Sequence, residues 1–175
     1  GESNIVITDC LPALLDELDW PSFQGDMRAS ITPFGLDGPY RDWQGFGPII
    51  QAMGGYTYIV GDKNKDPLFI PMHYAEYQAA QFAYTSTLAS YVSDAPSAEI
   101  EVSMLETVMS LSQWTFIYWT MQRKVRTRQG NRMGNVHPVS LYRCRDGFIY
   151  LTILPPFWRH LAPMLGRQDL LDDER

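Results

Sequence analysis

The sequence predicts an α/β fold, with part of a parallel-sheet large domain followed by the start of a smaller α+β domain. Three observations predict it. Two short β-branched runs, residues 4–9 and 27–32, flank a helical pattern in the order of a βαβ unit. A long segment rich in Ala, Ser and Thr, residues 74–92, reads as a central helix ahead of a third short strand. Near the C-terminus, Arg145-Asp146-Gly147 separates two alternating apolar runs, the pattern of an antiparallel hairpin. The expected division is residues 1–125 for the large domain, 126–138 for a linker and 139–175 for the small domain.

Each element has its own local reason. In residues 4–9 (NIVITD) β-branched side chains favour a strand, and Pro12, Leu14, Leu15 and Leu18 then fall at helical spacing. Residues 27–32 form the second strand, so the crossover between the two is expected to be right-handed. Residues 35–47 (GLDGPYRDWQGFG) are rich in Gly, Pro, Asp and aromatics and should be a loop leaving the carboxyl end of that strand, where open α/β sheets place ligands. Pro48 suits the first turn of a helix that stops at Gly54-Gly55. Residues 62–67 (DKNKDP) form a polar turn, and the helix over 74–92 follows. Residues 99–102 suggest a strand, and Ser103 with Glu106 makes a capping box that starts a helix running to about Lys124. The hairpin strands cover residues 139–144 and 148–154, and a last helix over 156–165 ends at Gly166.

Composition bounds the function. With 175 residues, 45% of them hydrophobic, the chain is long enough to bury a core. A net charge of -6 argues against a nucleic-acid partner, which needs a concentrated basic surface. The cluster Arg123, Lys124, Arg126, Arg128 and Arg132 is compatible with a solvated helix end or with a small phosphorylated ligand. Cys10 and Cys144 match no metal-ligand spacing, so no metal and no disulfide are expected, as in a reducing compartment. No stretch has the length of a membrane span and the N-terminus lacks a signal-peptide layout, so no membrane is expected and the expected location is cytoplasmic.

Three ordered segments carry a family likeness: Ser30-Ile31-Thr32-Pro33-Phe34-Gly35, Gly38-Pro39-Tyr40, and Gln51-Ala52-Met53-Gly54-Gly55. They resemble the SITGFG, GPY and QAMSG segments of the family III CoA-transferases, the group of formyl-CoA and carnitine CoA-transferases and α-methylacyl-CoA racemases. The likeness continues through the helix at 77–92, through Val102-Ser103-Met104-Leu105-Glu106 and Gly130-Asn131-Arg132, and into residues 142–147 and 165–167. It implies a Rossmann-like large domain, a smaller α+β domain and an interlocked dimer. Family enzymes are longer, so the resemblance also admits a fragment, a processed chain or one component of a split enzyme. The partners it implies are an acyl-CoA, a carboxylic acid, and a homodimer mate or second chain that supplies the missing parts. Coenzyme A enters as substrate or product, and no cofactor is implied.

The resemblance places Glu76, in Glu76-Tyr77-Gln78-Ala79-Ala80, where the family has its catalytic aspartate in a pattern like DLAAG. There a carboxylate attacks the acyl-CoA thioester, which is nucleophilic catalysis. The other reading of Glu76 is a helix-start carboxylate favoured by the dipole. His73 and Tyr74 lie just before it and Tyr40 lies in the Gly-Pro-Tyr segment, so all three are expected to be substrate-binding. Gly134, Asn135 and His137, in Gly134-Asn135-Val136-His137-Pro138, match a Gly-rich or Gly-Asn segment that in formyl-CoA transferases closes over the aspartate, or else form an interdomain turn. Phe46 stands where the racemases have a proton-transferring His, which disfavours racemization, and Gly47 stands where many transferases have an acidic residue. Two functions follow: CoA transfer through a covalent adduct at Glu76, or a catalytically degenerate member or half-module that binds CoA esters or partners an active subunit.

Overall fold

The computed structural model describes residues 5–19, 27–93, 98–133 and 136–171. The chain divides into two compact units, one of residues 1–60 with 67–127 and one of residues 61–66 with 128–175.

The first unit contains β1 (Ile5–Thr8), α1 (Pro12–Glu17), β2 (Met27–Thr32), α2 (Gly47–Met53), α3 (Tyr56–Ile59), α4 (Tyr74–Val92), β3 (Ala98–Ser103), α5 (Met104–Leu111) and α6 (Gln113–Gln122). Its sheet has the order β1-β2-β3 with every pair parallel, Ile5 opposite Met27 and Met27 opposite Ala98. Parallel neighbours need crossovers, which is why α1 separates β1 from β2 and α4 lies between β2 and β3 in the chain.

α4 buries Ala75, Ala79, Ala83 and Thr87, one residue per turn along a single face. Small side chains at that spacing let the helix backbone come close to its neighbours. Ala79 and Ala83 pack with Val102, flanked by Ile31, Ile100 and Met104, and this cluster joins the helix to the sheet. Ile50, Ala75 and Val108 form a second cluster that joins α2, α4 and α5. Gly54 belongs to that joint, because a Cβ there would lie 2.7 Å from Val108 Cγ1. Gly54→Ala is therefore expected to destabilise the protein by about 1–3 kcal/mol through overpacking, measured by urea denaturation.

The helix expected from Ser103 to about Lys124 is two helices. Ser103 caps α5, its Oγ accepting from Glu106 N–H at 3.3 Å. Ser112 ends α5 and begins α6 with a ψ of 28°, outside the helical well. A serine competes with the backbone for hydrogen bonds and is a weak helix-interior residue, and nothing in the apolar periodicity marks the break. The short α3 also has no counterpart in the sequence reading. α6 has no buried residue, and Trp114 and Met121 are largely exposed.

In the second unit β4 (Val139–Arg143) and β5 (Phe148–Thr152) pair antiparallel. Cys144 N–H donates to Gly147 O at 3.0 Å and closes the expected turn. A 3-10 turn (Pro155–Phe157) and α7 (Trp158–Met164) follow. The polar segment 61–66 groups with this unit through Gly130 N–H to Gly61 O, 2.9 Å. Among the described residues both cysteines are free, and no helix is long and apolar enough to cross a membrane.

Candidate active site

A crossover helix runs back against the strands it connects, so the start of α4 is brought toward the carboxyl ends of β2 and β3. The loop after β2 is fixed there by its own polar contacts. Gly35, at a φ of +101°, donates its N–H to Thr32 Oγ1 at 2.9 Å. Leu36 N–H donates to Glu101 Oε1 at 2.5 Å, and Leu105 N–H to Pro33 O at 3.1 Å. Arg41 closes the loop from the other side, donating Nε to Leu36 O and a terminal nitrogen to Asp16, each at 2.6 Å. The Asp16 hydrogen bond pushes the Arg41 guanidinium pKa up further, so this cation keeps its charge. Phe34, Tyr40 and Trp43 gather into an aromatic group, with Tyr40 and Trp43 ring centroids 4.5 Å apart.

The loop delivers the chain to α2, and α2 meets the approach to α4 at two points. Gln51 is completely buried, and its amide pairs with one residue in both directions: Nε2 donates to Ile70 O at 3.0 Å and Oε1 accepts from Ile70 N–H at 2.7 Å. One turn earlier, Gly47 N–H donates to Glu76 Oε1 at 2.9 Å. Between these points Met72 takes a φ of +64° and His73 forms the N-cap of α4. The Gly47 contact ties one oxygen of Glu76 to the first residue of α2. The other oxygen, Glu76 Oε2, is buried and has no hydrogen-bond partner among the described residues.

His73, Tyr74 and Glu76 are brought together by the start of α4, each with a different neighbour. The His73 ring stands edge-on to Tyr77 with centroids 6.4 Å apart. Tyr74 donates its hydroxyl to Tyr56 at 3.4 Å. Burial, helped by that bond, pushes the Tyr74 pKa up to about 12, so its phenol stays protonated across the physiological range. Tyr40 lies in the aromatic group of the β2 loop and is partly exposed. His137 belongs to the second unit, while Gly134 and Asn135 lie outside the described residues. Phe46 is the N-cap of α2 and is 60% exposed, which leaves its ring on the surface beside the Gly47 contact.

Gln51, Tyr56 and the bond from Gly47 are the participants that sequence reasoning missed. Gln51 gave one signal: it is the only polar side chain in the apolar turn Ile49-Ile50-Gln51-Ala52. Its partner is 19 residues away and its contact is to backbone, so spacing could not identify what it binds.

The sequence profile described as CoA-transferase family III matches residues 27–175. The chain is 28% identical over 183 aligned residues to a succinyl-CoA–D-citramalate CoA-transferase of Chloroflexus aurantiacus, covering 98% of this chain and 46% of that protein. It is 27% identical to a succinate–glutarate CoA-transferase of Agrobacterium fabrum, covering 83% of this chain and 38% of that one. The chain thus spans less than half the length of these curated relatives. Its fold is that of a CAIB/BAIF family protein from Brucella suis, with a TM-score of 0.76 at 22% identity over 98% of this chain and 48% of that structure. A profile match over most of the chain, with the same fold beneath it, establishes that the chain belongs to CoA-transferase family III.

Proposed function

We propose that the protein of which this chain is part transfers CoA from an acyl-CoA thioester to a carboxylic acid, with Glu76 as the covalent nucleophile. The observation that supports this most directly is the carboxylate itself: it stands at the start of α4, held through one oxygen by Gly47 N–H, with Oε2 hydrogen-bonded to no other group among the described residues. In the proposed cycle a Glu76 oxygen attacks the thioester carbonyl, the C–S bond breaks and CoA leaves as thiolate, giving a mixed anhydride. The thiolate then attacks the Glu76 carbonyl of that anhydride and expels the donor acid. The acceptor carboxylate repeats the sequence in reverse on the Glu76–CoA thioester and departs as its own CoA ester, which regenerates the Glu76 carboxylate. Every bond broken is matched by one formed, and no oxidant or reductant is needed.

The relatives named for succinyl-CoA and for succinate make succinyl-CoA the first donor to try, with a dicarboxylic acid as acceptor. The Rossmann-like large domain, the interlocked dimer and the contribution of His73, Tyr74, Tyr40 and the 134–137 segment to the substrate site belong to the same proposal. Incubating the protein with succinyl-CoA and then hydroxylamine is expected to convert Glu76 to its hydroxamate, detected by peptide mass spectrometry. Absence of modification across a panel of acyl-CoAs would remove the proposal.

One observation favours the second reading, a module that binds CoA esters or completes an active partner: Oε2 is covered as well as unpartnered, so attack needs the side chain to turn out of its seat. A carboxylate that never leaves this seat gives no hydroxamate while succinyl-CoA still binds, and calorimetry beside the trapping experiment separates the two.

A further inference from the structure

We infer that Gly47 and Glu76 form one co-adapted pair: the space left by the missing side chain at 47 seats the Glu76 carboxylate, so residue 47 selects the length of the acid that can stand at the start of α4. The effect on chemistry rests on the CoA-transfer reading; the pairing itself rests on geometry.

Gly47 is the first residue of α2, where helix propensity makes little demand, so what its missing side chain does is read from its surroundings. One common reason for a glycine is a left-handed backbone, and Gly47 is not among the glycines with positive φ. The other is close approach, and here the neighbour is specific. A Cβ on Gly47 would have as its three nearest atoms Glu76 Oε2 at 3.0 Å, Oε1 at 3.1 Å and Cδ at 3.4 Å. The neighbouring glycines make room for hydrophobic packing instead: a Cβ on Gly45 would meet Phe34 and Ile50, and one on Gly54 would meet Val108. Gly47 alone of these three is shaped around a functional group, and its own N–H supplies the bond that holds that group.

The pair therefore works in both directions. Alanine at 47 pushes the carboxylate off its donor by a few tenths of an ångström, and the flexible end of Glu76 yields rather than the helix, so the fold survives. Aspartate at 76 is one methylene shorter and cannot reach Gly47 N–H from the same backbone. The two changes made together remove the overpacking, since the shorter acid no longer fills the space that the methyl group occupies.

The test is a double-mutant cycle in the full chain: wild type, Gly47→Ala, Glu76→Asp and both. The first readout is the residue-47 amide resonance followed by NMR as the solution is acidified from neutral pH. In the wild type this resonance is expected to move with Glu76 ionisation, and each single variant is expected to lose that movement. The second readout is hydroxamate formation with succinyl-CoA. It is expected to change about tenfold or more when Gly47→Ala is made alone, and not to change when Gly47→Ala is added to Glu76→Asp. Retention of the wild-type titration shift in Gly47→Ala, or the same fractional change on both backgrounds, overturns the pairing. Glu76→Asp introduces no bulk, so it decides the first readout even if Gly47→Ala fails to fold. A wild type that gives no hydroxamate removes the transfer reading, while the amide titration still decides whether Gly47 seats Glu76.

Discussion

Glu76→Gln is expected to lower CoA transfer and hydroxamate trapping by about a thousandfold or more, with thermal stability close to that of the wild type. The substitution keeps the shape of the side chain and an oxygen that can still accept from Gly47 N–H, so the start of α4 has no reason to move. What it removes is the anionic oxygen that attacks the thioester in the proposed cycle. An amide oxygen is a far weaker nucleophile, and the acyl-amide adduct it would form has no route onward to the CoA thioester. Measuring transfer from succinyl-CoA alongside a melting curve separates loss of chemistry from loss of fold. Transfer near the wild-type rate would place the nucleophile elsewhere.

Gln51→Leu is expected to cost about 2–4 kcal/mol in stability and to disturb the Glu76 region more than the rest of the molecule. The leucine fits the volume of the buried site, but it leaves Ile70 N–H and C=O without the two bonds, 2.7 and 3.0 Å, that Gln51 now supplies. Ile70 is half-buried, so water replaces the two lost bonds only in part. Urea denaturation gives the global figure. Amide hydrogen exchange should show faster exchange at Ile70 and at the first turn of α4 than at Val102 in β3. Uniform loss of protection would mean that Gln51 supports the core generally instead of orienting this segment.

The parts of the fold legible in the sequence are those whose reasons are local. β2 is a six-residue run between a helix pattern and a Gly-rich loop, and the structure has it at Met27–Thr32. α4 has its expected limits, Tyr74–Val92, because its small residues repeat at helical spacing and His73 and Ser93 bound it. Asp146-Gly147 located the β4–β5 turn for the same kind of reason. The break at Ser112 was not legible, since the apolar pattern runs through it. Nor were the contacts around Glu76. The resemblance names Glu76 as a candidate, but its seat on Gly47 joins residues 29 apart and depends on the absence of a side chain. A missing atom leaves no periodicity to detect.

The parallel pairing of β2 with β3 bears on how the first unit acquires its structure in time. Arg28 and Glu99 face each other across that pair, 71 positions apart in the chain, and their ion pair at 3.4 Å exists only once everything between them has been gathered in. Contacts of such long sequence separation make folding slow, because the entropy of closing the loop is lost before the contacts that offset it are complete. α2 and the first turns of α4 lie inside that closing loop. Their contacts, Gln51 with Ile70 and Gly47 with Glu76, span much shorter stretches of chain and can form first. The carboxylate's surroundings thus rest on shorter chain closures than the sheet beneath them.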